Sequence, residues 1–177
     1  MTRHSARRGW AIFALALLLR LAWIATLEDR LKWPDEEEYA AIGRRLAAGE
    51  GFVASSYRNA PVLPAYLGLA FRLFGDGYMA PRVGQAILGA LTCVLVYRTG
   101  SLLVSPAVGL VSGALLAVYP PQIYLAGVFY TSCLETFLYA WCLALVARVL
   151  CGAGGIASAG LSGVILGLAV LTRPIAL

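Results

Sequence analysis

The run Asp35-Glu36-Glu37-Glu38, a lone Glu135 inside an apolar stretch, and four arginines, Arg20, Arg58, Arg82 and Arg173, carry the side chains best suited to chemistry. Eight of the nine acids fall between Glu28 and Asp76, so the ninth, Glu135, is isolated among hydrophobic neighbours. A carboxylate kept in hydrocarbon costs several kcal/mol, roughly 2 to 4 at mid-bilayer, which makes Glu135 a functional candidate; structural pairing with a neighbouring helix is the alternative. A carboxylate at an aqueous boundary can take a proton from a hydroxyl. An arginine's planar fork suits phosphate oxygens and its charge survives partial desolvation, so an anionic lipid head group is a fitting ligand. For Arg20 alone, snorkelling toward the boundary is the simpler expectation. His4, in the basic amino-terminal tail, is the only histidine, which removes histidine acid–base chemistry and histidine-ligated metal. Cys93, Cys133, Cys142 and Cys151 lack C-x-x-C spacing and are expected to be packing residues, not a disulfide scaffold or a zinc site.

These groups stand in a chain of 177 residues that is 60% hydrophobic and only 13% charged, with a mean hydropathy of +0.79. A soluble domain of that length needs more charge on its surface, so the composition belongs to the membrane class. Apolar runs at 10–27, 79–97, 102–118, one ending near 150, and 156–171 approach or fall somewhat short of the roughly 20 residues that cross a bilayer. Arg3, Arg7, Arg8, Arg98 and Arg148 stand without acids beside them, which puts those segments and the amino terminus in the cytoplasm and the 28–78 loop outside. No small-x-small cleavage site is clear near Ala25, so the first run is expected to be an uncleaved signal anchor. The net charge of +5 is dispersed over loops on both sides, which argues against nucleic acid.

The external loop is patterned. Pro34-Asp35 with Glu38 three residues on predicts a helix with Asp35 as N-cap, Glu38 at N3 and Gly49 as its stop, and Tyr39, Ile42 and Leu46 form an apolar stripe suited to a membrane surface. A second apolar stretch, 64–74, is too short to span easily and reads as interfacial or re-entrant. Gly109-x-x-x-Gly113 and Gly163-x-x-x-Gly167 are expected to pack helices within the bundle. Gly152-Ala153-Gly154-Gly155 has no preceding strand and is a loop, not a phosphate-binding fingerprint. The fold expected is therefore an all-α, polytopic membrane helix bundle of about five transmembrane helices with two interfacial helices in the first external loop. Glu135 lies 13 residues before Arg148, roughly 20 Å of helix, which sets it in the outer third of the bilayer. Asp35 serves a helix cap on pattern alone; its closeness to the first span, with Trp33 as interfacial anchor, favours a second use as a base.

Taken together, Asp35-Glu36-x-x-Tyr39, Leu46-Ala47-Ala48-Gly49-x-Gly51-Phe52, Arg58-x-x-Pro61-x-x-Pro64, Phe74-Gly75, Pro81-Arg82, Tyr119-Pro120 and Arg173-Pro174 resemble the GT-C glycosyltransferases of the protein mannosyltransferase and aminoarabinose transferase group. The resemblance implies an inverting transferase that moves a sugar from a polyprenyl-phosphate donor to a lipid, glycan or protein acceptor on the outer side of the cytoplasmic membrane. It implies Asp35 as general base, Glu36 as a second acid, Glu135 as the acid near the second external loop, and Arg58, Arg82 and Arg173 as holders of the donor phosphate. It implies no cofactor, with a divalent metal disfavoured. Asn59-Ala60 stands where some relatives carry an acid and a lysine, so donor contacts there are expected to differ. Family enzymes have further spans, so residues 1–177 are expected to be the amino-terminal part of one transmembrane module that works with a carboxyl-terminal half or a partner subunit. The competing classes are a small transporter or lipid-carrier flippase, against which no repeated pair of broken spans is found, and a noncatalytic membrane subunit.

Overall fold

Lipid offers backbone N–H and C=O groups no partners, so long apolar runs free of internal proline close their hydrogen bonds as helices. The computed structural model describes residues 3–52 and 60–172, and among these are eight helices and no strand. In chain order they are α1 (Arg3–Ala25), α2 (Pro34–Ala47), α3 (Val62–Phe74), α4 (Met79–Leu103), α5 (Pro106–Val118), α6 (Pro120–Leu125), α7 (Thr131–Leu150) and α8 (Ile156–Val170). Three of them, α1, α4 and α7, are long and apolar enough to cross a membrane. The all-α, polytopic bundle is thus as expected, with α2 and α3 forming the pair of short helices in the first connection.

Two span boundaries differ from the sequence expectation. The run 102–118 does not make one helix: residues 102 and 103 finish α4, and α5 starts afresh at Pro106, where Ser105 Oγ accepts a hydrogen bond from Val108 N at 3.3 Å. A serine cap followed by proline at the first helical position is a strong restart signal, which apolarity alone does not register. As a result α5 has 13 residues; α8, with 15, is likewise below the length of a full span.

The central element is α4, against which α1, α5 and α7 pack, while α8 packs on α7. Glycine brings α5 onto α4: a Cβ on Gly109 would collide with Ser101 Oγ and the Tyr97 carbonyl, and one on Gly113 would lie 2.9 Å from Tyr97 Cβ. The Gly109-x-x-x-Gly113 spacing therefore serves bundle packing. The Gly163 and Gly167 positions of α8 face open space, so that second spacing does not pack helices of the described bundle. On the other side, α2 and α3 close on each other through Gly43 and Gly68, where either added Cβ would approach the facing helix at 2.9 Å. The core beneath them joins Ala40, Leu63, Leu67 and Phe71 to Phe129 and Leu134. Cys93 and Cys133 are buried, as packing residues should be, whereas Cys151 is exposed.

Arg20 corrects the snorkelling expectation. It is 1% exposed and turns into the α1–α4–α5 junction, donating through Nη1 to the carbonyls of Ala16 (2.9 Å) and Ala117 (3.4 Å). Ala117 sits at the end of α5, and the residue that would pair its carbonyl in a continued helix is Pro121, which has no N–H. Arg20 replaces that donor at a negative helix terminus. Gly89 leaves it room, since a Cβ there would lie 2.6 Å from Arg20 Nε.

Overpacking a close helix contact costs about 1 to 3 kcal/mol. Gly109→Ala is expected to lower the thermal midpoint of the purified protein in detergent, and Gly163→Ala to leave it unchanged. Equal midpoints for the two variants would remove the α4–α5 contact as a determinant of the fold.

Candidate functional site

The first turn of α2 is set differently from the pattern Asp35–Glu38. Pro34 takes the first helical position, so the N-cap is Trp33, with extended backbone (φ −121°, ψ 142°), and Glu36, not Glu38, stands at N3. Asp35 is therefore inside the helix and is not its cap. Glu36 reaches back, and its Oε2 accepts from the backbone N–H of Lys32 (3.0 Å) and Trp33 (3.1 Å). Its Oε1 accepts from Phe129 N at 2.9 Å, across 93 residues of sequence. The carboxylate is 1% exposed; three N–H donors replace the water it has lost. At the far end Gly49, at φ 82°, stops the helix as expected. Its N–H meets the Leu46 carbonyl at 3.1 Å while Glu50 N meets that of Arg45 at 3.0 Å, the paired bonds of a left-handed cap.

Arg82 and Gln85, three residues apart on α4 and so on one face of it, hold the two connections that Glu36 joins. Arg82 Nη1 and Nη2 donate to the carbonyls of Glu28 and Arg30, each at 2.8 Å, which fixes the α1–α2 connection. Its guanidinium carbon lies 5.7 Å from the Phe129 ring centroid. Gln85, with its amide turned to suit its neighbours, donates from Nε2 to the carbonyls of Ala126 (3.2 Å) and Val128 (3.1 Å) and fixes the α6–α7 connection. Among the described residues Arg82 Nε has no hydrogen-bond partner; a cavity of about 10 Å³, room for about one water, adjoins Arg82, Glu36, Lys32 and Trp23. Asp29 Oδ1 accepts from Tyr78 N at 2.8 Å and ties the same connection to the start of α4.

Asp35 emerges from this frame exposed. Among the described residues its carboxylate takes part in no hydrogen bond or ion pair. Tyr130 is near: burial first, then the charges of Asp35 and Glu36, push the Tyr130 phenol above its ordinary pKa, so it is protonated at neutral pH. Glu37, on another face of the turn, lines an open cleft of about 410 Å³ with Asp29, Arg30, Arg44 and Tyr78. Arg44 stacks on Phe71 and Tyr78 and donates to the Tyr78 hydroxyl.

The structure thus brings Glu36 and Arg82 to one small cavity, while Asp35, next to Glu36 in the chain, is exposed. Glu135, half-buried in the second turn of α7, lines neither cavity. Arg58 and Arg173 lie outside the described residues. Among the described residues no cluster of histidine, cysteine or carboxylate side chains could hold a metal. Gln85, Phe129 and Tyr130 were not anticipated. A glutamine inside an apolar run, one helical turn from Arg82, is a readable signal for the first. Phe129 acts through its backbone N–H, for which residue type carries no signal.

Residues 58–177, from just before α3 onward, match the dolichyl-phosphate-mannose-protein mannosyltransferase family. The chain belongs to that family. It is also 32% identical over 173 residues to the undecaprenyl phosphate-alpha-4-amino-4-deoxy-L-arabinose arabinosyl transferase of Edwardsiella ictaluri (strain 93-146), an alignment covering 91% of this chain. The chain spans 30% of the length of that relative. No solved structure matches the chain. The family match takes in Arg82, Gln85, Phe129, Tyr130 and Glu135 but begins after Asp35 and Glu36; the alignment to the arabinosyl transferase leaves too few residues uncovered to miss them.

Proposed function

We infer that this chain carries the catalytic base of a membrane glycosyltransferase that moves a sugar from a polyprenyl-phosphate donor to an acceptor hydroxyl outside the cytoplasmic membrane. The observation that carries the reading is Asp35: an exposed carboxylate without a protein partner among the described residues, one position from a buried glutamate that locks its backbone. Family membership supplies the reaction class.

In the displacement, the acceptor oxygen forms a bond to the anomeric carbon while the bond from that carbon to the lipid phosphate breaks. The acceptor proton passes to Asp35, and the polyprenyl phosphate leaves with the bonding pair. Charge developing on the phosphate calls for cationic donors. Arg58 and Arg173 are assigned to direct contact with it. Arg82, with both terminal nitrogens engaged by carbonyls, contributes its positive charge from behind the first turn of α2. Glu36 serves by holding Asp35, since its own oxygens are occupied by N–H donors. Glu135 is assigned to the donor side of the reaction, on α7, whose first residues follow the connection that Glu36 binds. The acceptor is a lipid, glycan or protein hydroxyl.

The acid-free arginine segments put the amino terminus in the cytoplasm and the 28–78 loop outside. Cysteine introduced at the exposed Glu50, in a background without the native cysteines, should react with an impermeant thiol reagent in intact cells. Reaction only after lysis would reverse the orientation.

Asparagine matches aspartate in size and polarity but cannot take a proton as a base. Asp35→Asn should retain expression and binding of the lipid donor while sugar transfer in membranes carrying the protein falls by about a hundredfold or more, the scale of losing a positioned base. Near-normal transfer would remove Asp35 from the chemistry.

A further inference from the structure

Aromatic side chains gather by the first turn of α2 in a way that neither helix capping nor core packing requires: Tyr130 lies near enough to both Asp35 and Tyr124 to feel their charge. Trp33, the N-cap of α2, is 46% exposed, and Tyr124, in α6, is 38% exposed. Trp33 Nε1 donates to the Tyr124 hydroxyl at 3.3 Å. Trp23 Nε1 donates to the Tyr124 carbonyl at 3.3 Å, and the two rings lie 5.8 Å apart. The Phe129–Glu36 bond brings the next residue, Tyr130, up to the first turn of α2. The Tyr130 ring is half-buried and its hydroxyl has no protein partner among the described residues.

This combination is specific in its chemistry. A sugar ring presents apolar C–H faces and a rim of hydroxyls, and it is bound by flat aromatic surface edged with a few fixed polar groups. Trp33 and Tyr124 supply the surface. Because Tyr124 accepts from Trp33, its own hydroxyl hydrogen remains free to donate, and the protonated Tyr130 phenol is a second donor. Tryptophans that only anchor a protein at the membrane boundary turn their N–H toward water and head groups; here both indole N–H groups are bonded within the protein.

We propose that Trp33, Tyr124 and Tyr130 form the subsite for the sugar ring of the lipid-linked donor, holding it beside Asp35. The proposal rests on the transferase reading above and adds which residues grip the glycosyl group. The subsite draws on the α1–α2 connection, α6 and the start of α7, which Glu36 helps to hold together through Phe129.

The test compares binding of the protein, reconstituted in lipid nanodiscs, to bare undecaprenyl phosphate and to its 4-amino-4-deoxy-L-arabinosyl and mannosyl forms. Wild type should bind at least one glycosylated form more tightly than the bare lipid. Tyr130→Phe should reduce that preference about fivefold, the scale of one neutral hydrogen bond. Trp33→Ala should reduce it about tenfold, with Trp33→Phe restoring part of it through its aromatic face. Affinity for the bare lipid should stay at the wild-type value in all three variants, which also reports that they are folded. An equal loss for all three lipids, a preference that survives both substitutions, or no preference in wild type would each overturn the subsite. Asp35→Asn, measured alongside, should keep the preference, so failure of the subsite leaves the assignment of the base to be judged by transfer alone.

Discussion

One buried carboxylate organises the polar end of this bundle. Glu36 is out of contact with solvent, so its carboxyl oxygens need hydrogen-bond partners from the protein. It finds three, all backbone N–H groups, from the α1–α2 connection and from the α6–α7 connection. Charge-assisted bonds of this kind contribute about 1.5 to 3 kcal/mol each, and removing the carboxylate would leave buried donors unsatisfied. Arg82 and Gln85 brace the same two connections from α4 by taking up their carbonyls. These backbone donors and acceptors of two irregular segments are thereby met by protein side chains, which helps irregular backbone to sit at the end of a membrane bundle.

The consequence is a division of labour between neighbouring acids. Asp35 and Glu36 are consecutive, yet a turn of roughly 100° per residue separates their side chains by enough to bury one and expose the other. The rigidity that Glu36 confers on the first turn of α2 is transmitted to Asp35 through a shared backbone. A base has to meet its substrate within hydrogen-bond reach, so a fixed backbone under an exposed carboxylate is the arrangement that proton abstraction requires. Arg20 follows the same rule within the membrane. Its charge is sustained because it caps α5 where Pro121 cannot.

Much of this was legible in the sequence. Apolar runs indicate most of the helices and their order, though not the break between α4 and α5 or the short α6; the acidic loop marks the polar end, and the ordered motifs point to the family. What escaped has identifiable causes. The sequence pattern places the start of α2 two residues late, because Asp35 offers the acceptor a cap favours, whereas Pro34 fixes the first helical position and leaves Trp33 as a cap with no acceptor to offer. Glu36 consequently looked like a free acid. The inward turn of Arg20 depends on Gly89 and on the prolines after α5, residues 69 to 101 positions away, and no local periodicity encodes such a meeting. The pairing of Glu36 with Phe129 is invisible for a different reason: any residue other than proline offers the same N–H.

The central claim, that Glu36 fastens two distant connections into one platform for Asp35, is tested most directly by amide hydrogen exchange on the protein in nanodiscs. In wild type the amides of Lys32, Trp33 and Phe129 should be protected together. In Glu36→Ala all three should lose protection in concert, while amides in the middle of α4 keep theirs. Phe129 exchanging at the same rate in wild type and variant would contradict the account, because the link between the two connections would then not depend on this carboxylate.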